Sequence, residues 1–445
     1  MGCCPAKRTA RFSRVLSFLI LTLSLVCTYA HPCDAYGELA HEAVIDGAWT
    51  SAIRPLLLAR YPNATRDELK EARAYAYGGA VIQDMGYYPF GSKLFSDLTH
   101  YVRSGDFVEA LLRDSKSMDD YAFALGALAH YVADNDGHNL ATNHAVPALY
   151  PKLRAKFGPV VVYDENPAAH LKTEFGFDVV QVARGHYASD DYHDHIGFEV
   201  SRPLLEQAFQ ETYCIPLDSI FTDFDLAIGT YRLGVSSTIP SMTKVAWQIK
   251  KDEIQKDEPG ITRKQFYYHL SRASYRKNWG SDYRRPGLLA RFLAFIIRII
   301  PKIGPLKTLT FRTPTPATEA LFVQSFEVAS NDFDRLVHEE QSAGQIDLPN
   351  KNIDVGYVTT PGQYPLADVT YANLLDRLAE SHFVDLTPQL KANLLAFYSD
   401  PNAPDAMKKS KKKWRKVQTE VAELKNAPTP AVQSAASAAA PNSLP

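Results

Sequence analysis

Cysteine is scarce. The 445-residue chain holds five, and Cys3, Cys4, Cys27 and Cys33 crowd its first tenth, leaving Cys214 alone in the rest. Such a chain is not a disulfide scaffold. An excess of one charge is also absent: 48 Lys+Arg stand against 50 Asp+Glu, a formal net charge of −2. No whole-molecule field exists to hold nucleic acid or an acidic membrane, and no specific nucleic-acid binding is expected. Long hydrophobic runs are few, which excludes a polytopic membrane protein. Internal repeats are missing and hairpin signals are rare; Pro159 to Tyr163 (PVVVY) is the one short run with strand character. What remains is an ordinary globular composition, 46% apolar and 22% charged, which excludes a mostly disordered or collagen-like chain. Aromatics are plentiful, with 24 Tyr and 22 Phe, enough for a large core. The length allows one large domain or two to three smaller ones.

The N-terminus reads as an export signal. Lys7, Arg8, Arg11 and Arg14 precede the mostly apolar run Val15 to Val26. That run is shorter than the about 20 residues a membrane span needs. Small-x-small cleavage sites end at Ala30 and at Ala35, and the expected destination is the periplasm or the outside of the cell. Cleavage after Ala35 would leave Cys214 without a partner; cleavage after Ala30 would keep Cys33 beside it. Because disulfides do not staple this chain, metal is a candidate staple.

The organisation reads as a signal peptide over 1–35, a helical domain over 36–240, a mainly helical extension of unassigned role over 241–404, and a tail over 405–445. The expected fold class is all-α. Glu68 to Ala80, Tyr121 to Val132 and Pro203 to Thr212 have helical spacing of apolar residues. Leu288 to Leu306 is the most apolar stretch after the signal, interrupted by Arg291, Arg298 and Lys302 and ended by Pro301. It is either a buried core helix or a basic amphipathic element that makes a peripheral membrane contact. The tail opens with the basic run Lys408 to Lys416; beyond Ala427 its Ala/Pro/Ser composition cannot bury a core and predicts disorder.

Residues that ligate metals concentrate in the first half. His130, Asp134 and His138 recur every four residues, and residues four apart on a helix share a face. Imidazole nitrogen and carboxylate oxygen together suit zinc. His170 and Glu174 repeat the four-residue spacing. His41 lies five residues after Tyr36, Asp84 sits in an aromatic-rich turn (VIQDMGYYPFG), and His100 follows in FSDLTHYV. Singly, each has a structural explanation: a turn cap for Asp84, a satisfied core histidine for His100. Together they supply five His and three carboxylates, too many for one zinc and enough for about three. His186, His193 and His195 lie in a polar segment, GHYASDDYHDHIGF, read as a loop over the site. Tyr87 and Tyr88 either pack or contact a headgroup, and His144 has no assigned role.

The order and spacing of these residues resemble the zinc-dependent phospholipase C superfamily, which includes the bacterial phosphatidylcholine-hydrolysing enzymes, the catalytic domain of glycosylphosphatidylinositol-specific phospholipase D and the single-strand-specific fungal nucleases. The resemblance runs from about Tyr36 to Asp225. It implies a multi-helix phospholipase C/nuclease-like domain with a helical C-terminal extension. It further implies that Asp84, His100, His130 and Asp134 hold one zinc. Asp134 then bridges to a second, held by His41 and the backbone amine and carbonyl of Tyr36, which only cleavage after Ala35 would liberate. His138, His170 and Glu174 hold the third. Tyr36 stands where the family usually has Trp, although the ligating atoms there are backbone. His138 lies eight residues after His130 where the nucleases place ten, and AAHLKTEFGFDVV around His170 is similar to the phospholipase D branch. The implied function is an exported zinc-dependent phosphodiesterase that hydrolyses phospholipid, of C or D type, by attack of zinc-bound hydroxide on phosphorus with Asp84 as general base. The alternatives are a nuclease or nucleotidase on the same trinuclear site, and a metal-stabilised, non-catalytic, membrane-associated protein.

Overall fold

The computed structural model describes residues 37–186, 198–269 and 310–429. These residues are all-α but for one two-stranded ladder. The helices that position the site are α1 (Glu38–Ala48), α2 (Arg66–Ile82), α3 (Lys93–Tyr101), α4 (Ser104–Asp114), α5 (Met118–Gly137), α6 (Pro167–Arg184), α7 (Pro316–Ala343), α8 (Pro365–Glu380) and α9 (Lys411–Asn426). The stretches expected to be helical from their spacing lie within α2, α5 and the helix Arg202–Tyr213. Pro159 to Tyr163 pairs with no strand; the Val161 amide instead donates to the Asn143 carbonyl at 2.9 Å.

Local chemistry starts the two central helices. Thr65 and Glu68 form a reciprocal capping box at α2, as do Ser117 and Asp120 at α5. Each box satisfies amide groups that a helix start leaves without partners, and losing its Thr or Ser costs about 1 kcal/mol. Helix α5 is buried on nearly all sides, from Tyr121 through Asp134. Such a helix belongs at the centre of a core. It crosses α2 with backbone against backbone. A methyl group on Gly79 would stand 1.9 Å from the Phe123 carbonyl oxygen, and one on Gly126 would stand 2.1 Å from that of Ala76. No side chain larger than hydrogen fits at this crossing.

The region after residue 310 wraps the same core. Helix α7 lies along α5, with the Tyr121 hydroxyl donating to Glu340 at 3.2 Å. Helix α8 packs on α3, and α9 packs on α8 through buried Val417 and Leu424. Between α7 and α8 runs a hairpin, β1 (Lys351–Asn352) and β2 (Tyr357–Val358), with Lys351 opposite Val358. It is tied down along its length. Tyr131 donates to the Pro349 carbonyl at 2.7 Å, Ser104 to that of Lys351 at 2.6 Å, and the Ile353 amide to that of His100 at 3.1 Å. Gly356 closes the turn at φ 78°, a left-handed conformation that glycine adopts without steric cost, and faces Asn139.

Cys214 is a buried free thiol whose sulfur accepts from the Thr387 amide at 3.3 Å. Among the described residues no helix is long and apolar enough to cross a membrane. The signal segment, Tyr36, His193, His195, the stretch Leu288 to Leu306 and the end of the tail lie outside the described residues.

Candidate metal centre

Four elements converge on Asp134, in the last turns of α5. His130 precedes it by one turn. Helix α2 ends in a tight turn, Gln83–Tyr87, that delivers Asp84. Helix α3 brings His100, and α1 brings His41. All five side chains are buried. The Asp134 carboxylate lies 3.3 Å from His41 Nε2, 3.2 Å from His100 Nε2 and 3.2 Å from His130 Nε2. His100 Nε2 also stands 3.3 Å from Asp84 and 3.4 Å from His130 Nε2. The ligand atoms of Asp84, His100, His130 and Asp134 all come within 4.8 Å of one another.

A second buried group stands beside the first. The ligand atoms of His138, His170 and Glu174 also lie within 4.8 Å of one another. His138 opens a wide turn, His138–Thr142, that follows α5, and α6 carries His170 and Glu174 one turn apart. His138 therefore does not share an ion with His130 and Asp134. Eight residues of helix rise about 12 Å, too far for His130 and His138 to meet on one metal.

These distances test whether zinc fits. Two ligands of one tetrahedral zinc, each about 2.1 Å from it, stand roughly 3.4 Å apart. The contacts around Asp134 have that spacing, and neither of its oxygens has a hydrogen-bond geometry partner. Both oxygens of Glu174 and His170 Nδ1 are likewise buried without a hydrogen bond. The tautomers agree. His100 Nδ1 meets the Ser96 carbonyl at 2.7 Å and His130 Nδ1 that of Ala80 at 2.9 Å, so each frees its Nε2. His170 Nε2 meets the Val161 carbonyl at 2.7 Å, which frees its Nδ1. A ring nitrogen held by a backbone carbonyl is the usual support of a metal-binding histidine. The residues present fit zinc at both groups.

The electrostatics point the same way. Burial pushes the Asp134 carboxyl up, but the histidines around it, His130 foremost, outweigh that and hold it well below the usual range. Burial lowers His130 and His100, yet Asp134 and Asp84 overcome it and raise both. Burial, and then His130, lowers His41. Burial and His138 depress His170 to about 3. Burial, reinforced by Asp134, Asp354 and Asp84, drives Glu174 well above the normal carboxylate value. Among the described residues the ion pairs of Asp134, Glu174 and Asp354 are with histidine, not with Lys or Arg. Burying carboxylates is costly, and divalent cations would offset that cost.

Asp354, at the hairpin turn, carries no recognisable motif in the sequence and was missed there. Its Oδ1 stands 3.4 Å from His138 Nε2. Its Oδ2 accepts from the Tyr101 hydroxyl at 2.8 Å and from that of Tyr364 at 2.6 Å. Other residues singled out in the sequence fall elsewhere. His144 is exposed. His186 meets Gln181 at 2.6 Å. Tyr87 is buried edge-on to His100 and beside Tyr163, whereas Tyr88 packs on Tyr231.

Comparison with known families places both groups of ligands inside one match: residues 41–223 match the family model of zinc-dependent phospholipase C. No curated protein and no solved structure matches the chain.

Proposed function

We propose, because residues 41–223 match the family model of zinc-dependent phospholipase C, that this protein is an exported phosphodiesterase that hydrolyses phospholipid with about three zinc ions. The observation that carries the reading is the pair of buried, histidine-and-carboxylate groups at ligand spacing within that segment. Asp84, His100, His130 and Asp134 would hold one zinc, His41, Asp134 and Tyr36 a second, and His138, His170 and Glu174 a third.

Zinc, when bound, lowers the pKa of its water to about 7 and draws charge from a phosphoryl oxygen. The chain's own residues supply the rest. His100, His130 and His170 are held in one tautomer by carbonyls, so the ligand nitrogens are oriented before substrate arrives. Asp84 is assigned to take the proton of the attacking water, which adds to phosphorus in line with the departing ester oxygen. Departure of the diacylglycerol oxygen gives C-type cleavage; departure of the headgroup oxygen gives D-type.

The test is product analysis on phosphatidylcholine liposomes, with protein starting at Tyr36, with and without chelator. Phosphocholine that appears only without chelator supports C-type chemistry, and choline with phosphatidate the D type. Cleavage of single-stranded DNA with intact lipid would favour the nuclease. Three bound zincs with no phosphodiester cut would favour a non-catalytic protein.

A further inference from the structure

We propose that Asp354, contributed by the C-terminal extension, is a positioning residue for His138 and so part of the third metal site, a role that rests on the zinc reading above. The family match ends at residue 223 and includes no part of the hairpin that carries Asp354.

The first observation is a gap in an otherwise regular pattern. His100, His130 and His170 each have one ring nitrogen on a backbone carbonyl, at 2.7, 2.9 and 2.7 Å. His138 has neither ring nitrogen in a hydrogen bond, although it is fully buried. The Asp354 carboxylate stands 3.4 Å from its Nε2. That oxygen is buried and also has no hydrogen-bond partner. A small ring rotation, of the kind metal binding brings, would let Nε2–H donate to Oδ1. Nδ1 would then face His170 and Glu174.

The second observation is how Asp354 is held. Its other oxygen accepts from two tyrosine hydroxyls, one on α3 and one just before α8. Its own amide donates to Asn352 Oδ1 at 3.0 Å, and its carbonyl accepts from Asn143 Nδ2 at 2.9 Å. Oδ1 is thus left aimed at His138 by a rigid surround. A carboxylate on the far nitrogen of a metal-binding histidine fixes the tautomer and makes the ligand more basic; removing it weakens metal binding about 10- to 100-fold. Asp354 is not one of the three residues whose ligand atoms lie within 4.8 Å of one another, which favours this orienting role over direct ligation.

The experiment measures zinc content of the full-length protein across a series of zinc buffers. Wild type should hold about three zincs. Asp354→Ala should hold two at free-zinc levels where wild type holds three, with affinity for the last ion lower by about 10- to 100-fold. Asp354→Asn, whose amide oxygen still accepts from Nε2–H, should recover most of that loss. Tyr364→Phe, which loosens the carboxylate without touching His138, should weaken the same ion by a smaller factor, and it serves if Asp354→Ala fails to fold. In cobalt-loaded protein the visible spectrum of the last ion bound should shift in Asp354→Ala. Asp354→Ala with the wild-type zinc isotherm would overturn the inference while leaving the function standing. Asp354→Asn as weak as Asp354→Ala would also overturn it, because the carboxylate would then act on the ion itself. Wild type that binds no zinc would overturn the proposed function and this role together.

Discussion

Asp84 and Asp119 are both acids in helical segments of the core, yet their surroundings ask different things of them. Asp84 stands in the candidate metal-ligand group, 3.3 Å from His100 Nε2 and 3.8 Å from His130 Nδ1. Asp84→Asn keeps the shape and an oxygen ligand but cannot accept a proton. Turnover of phosphatidylcholine should fall at least about 100-fold; near wild-type turnover with full zinc content would remove Asp84 from the base role. Asp119, in the first turn of α5, has no such function. Burial, and then Glu71, Asp120 and Glu68, push its carboxyl from 3.8 up to about 7. The folded state therefore holds this proton more tightly than the unfolded state does. The associated stability is complete below about pH 4 and is lost as pH rises toward 7. Asp119→Asn should stabilise the protein by about 1–2 kcal/mol above pH 7, after allowance for partial exposure, and by nothing near pH 4. Urea unfolding at both pH values checks this; an equal effect at both would place the origin elsewhere.

At the scale of elements, the crossing of α2 and α5 sets the geometry of the first metal group. His130 on α5 donates to the Ala80 carbonyl on α2, so the two helices hold that ring between them. In an isolated helix Gly126→Ala would stabilise by about 1 kcal/mol. Here the new methyl would meet the Ala76 carbonyl at 2.1 Å and the Ala80 amide nitrogen at 2.8 Å, and neither can rotate away. Gly126→Ala should instead destabilise by about 3 kcal/mol and weaken zinc binding as the helices part. Thermal melts and zinc content are the measurements, and a raised melting temperature would contradict the crossing. The two i,i+4 pairs, His130/Asp134 and His170/Glu174, were legible in the sequence because a helical period is written locally. The division of His138 from His130 and Asp134 came from the family resemblance and not from the spacing, which repeats evenly through all three; the two groups of ligand atoms follow that division.

At the scale of the molecule, no disulfide staples the described residues, and Cys214 is a free thiol. Four buried carboxylates, Asp84, Asp134, Glu174 and Asp354, share the centre of the core. Zinc should thus be the staple. A ligand present at 1,000 times its Kd adds about 4 kcal/mol. Chelator should therefore lower the melting temperature by roughly 10 °C, while a thiol reductant leaves it unchanged. The reverse result would move the staple from metal to sulfur.

The helical class, the resemblance that the match over residues 41–223 repeats, and the candidate ligands could be read from the chain alone, because period, ligand type and order are local properties of a sequence. Which ligands meet was decided by tertiary structure. Asp134 touches His41 and His100 because α1 and α3 have an end beside it, and His130 because that residue lies one turn earlier on α5. Asp354 reaches His138 because a hairpin beyond the family match is tied to the His100 carbonyl and the Ser104 hydroxyl. No periodicity links Asp354 to His138; packing alone brings them together, and packing is set by the whole core rather than by any segment of it.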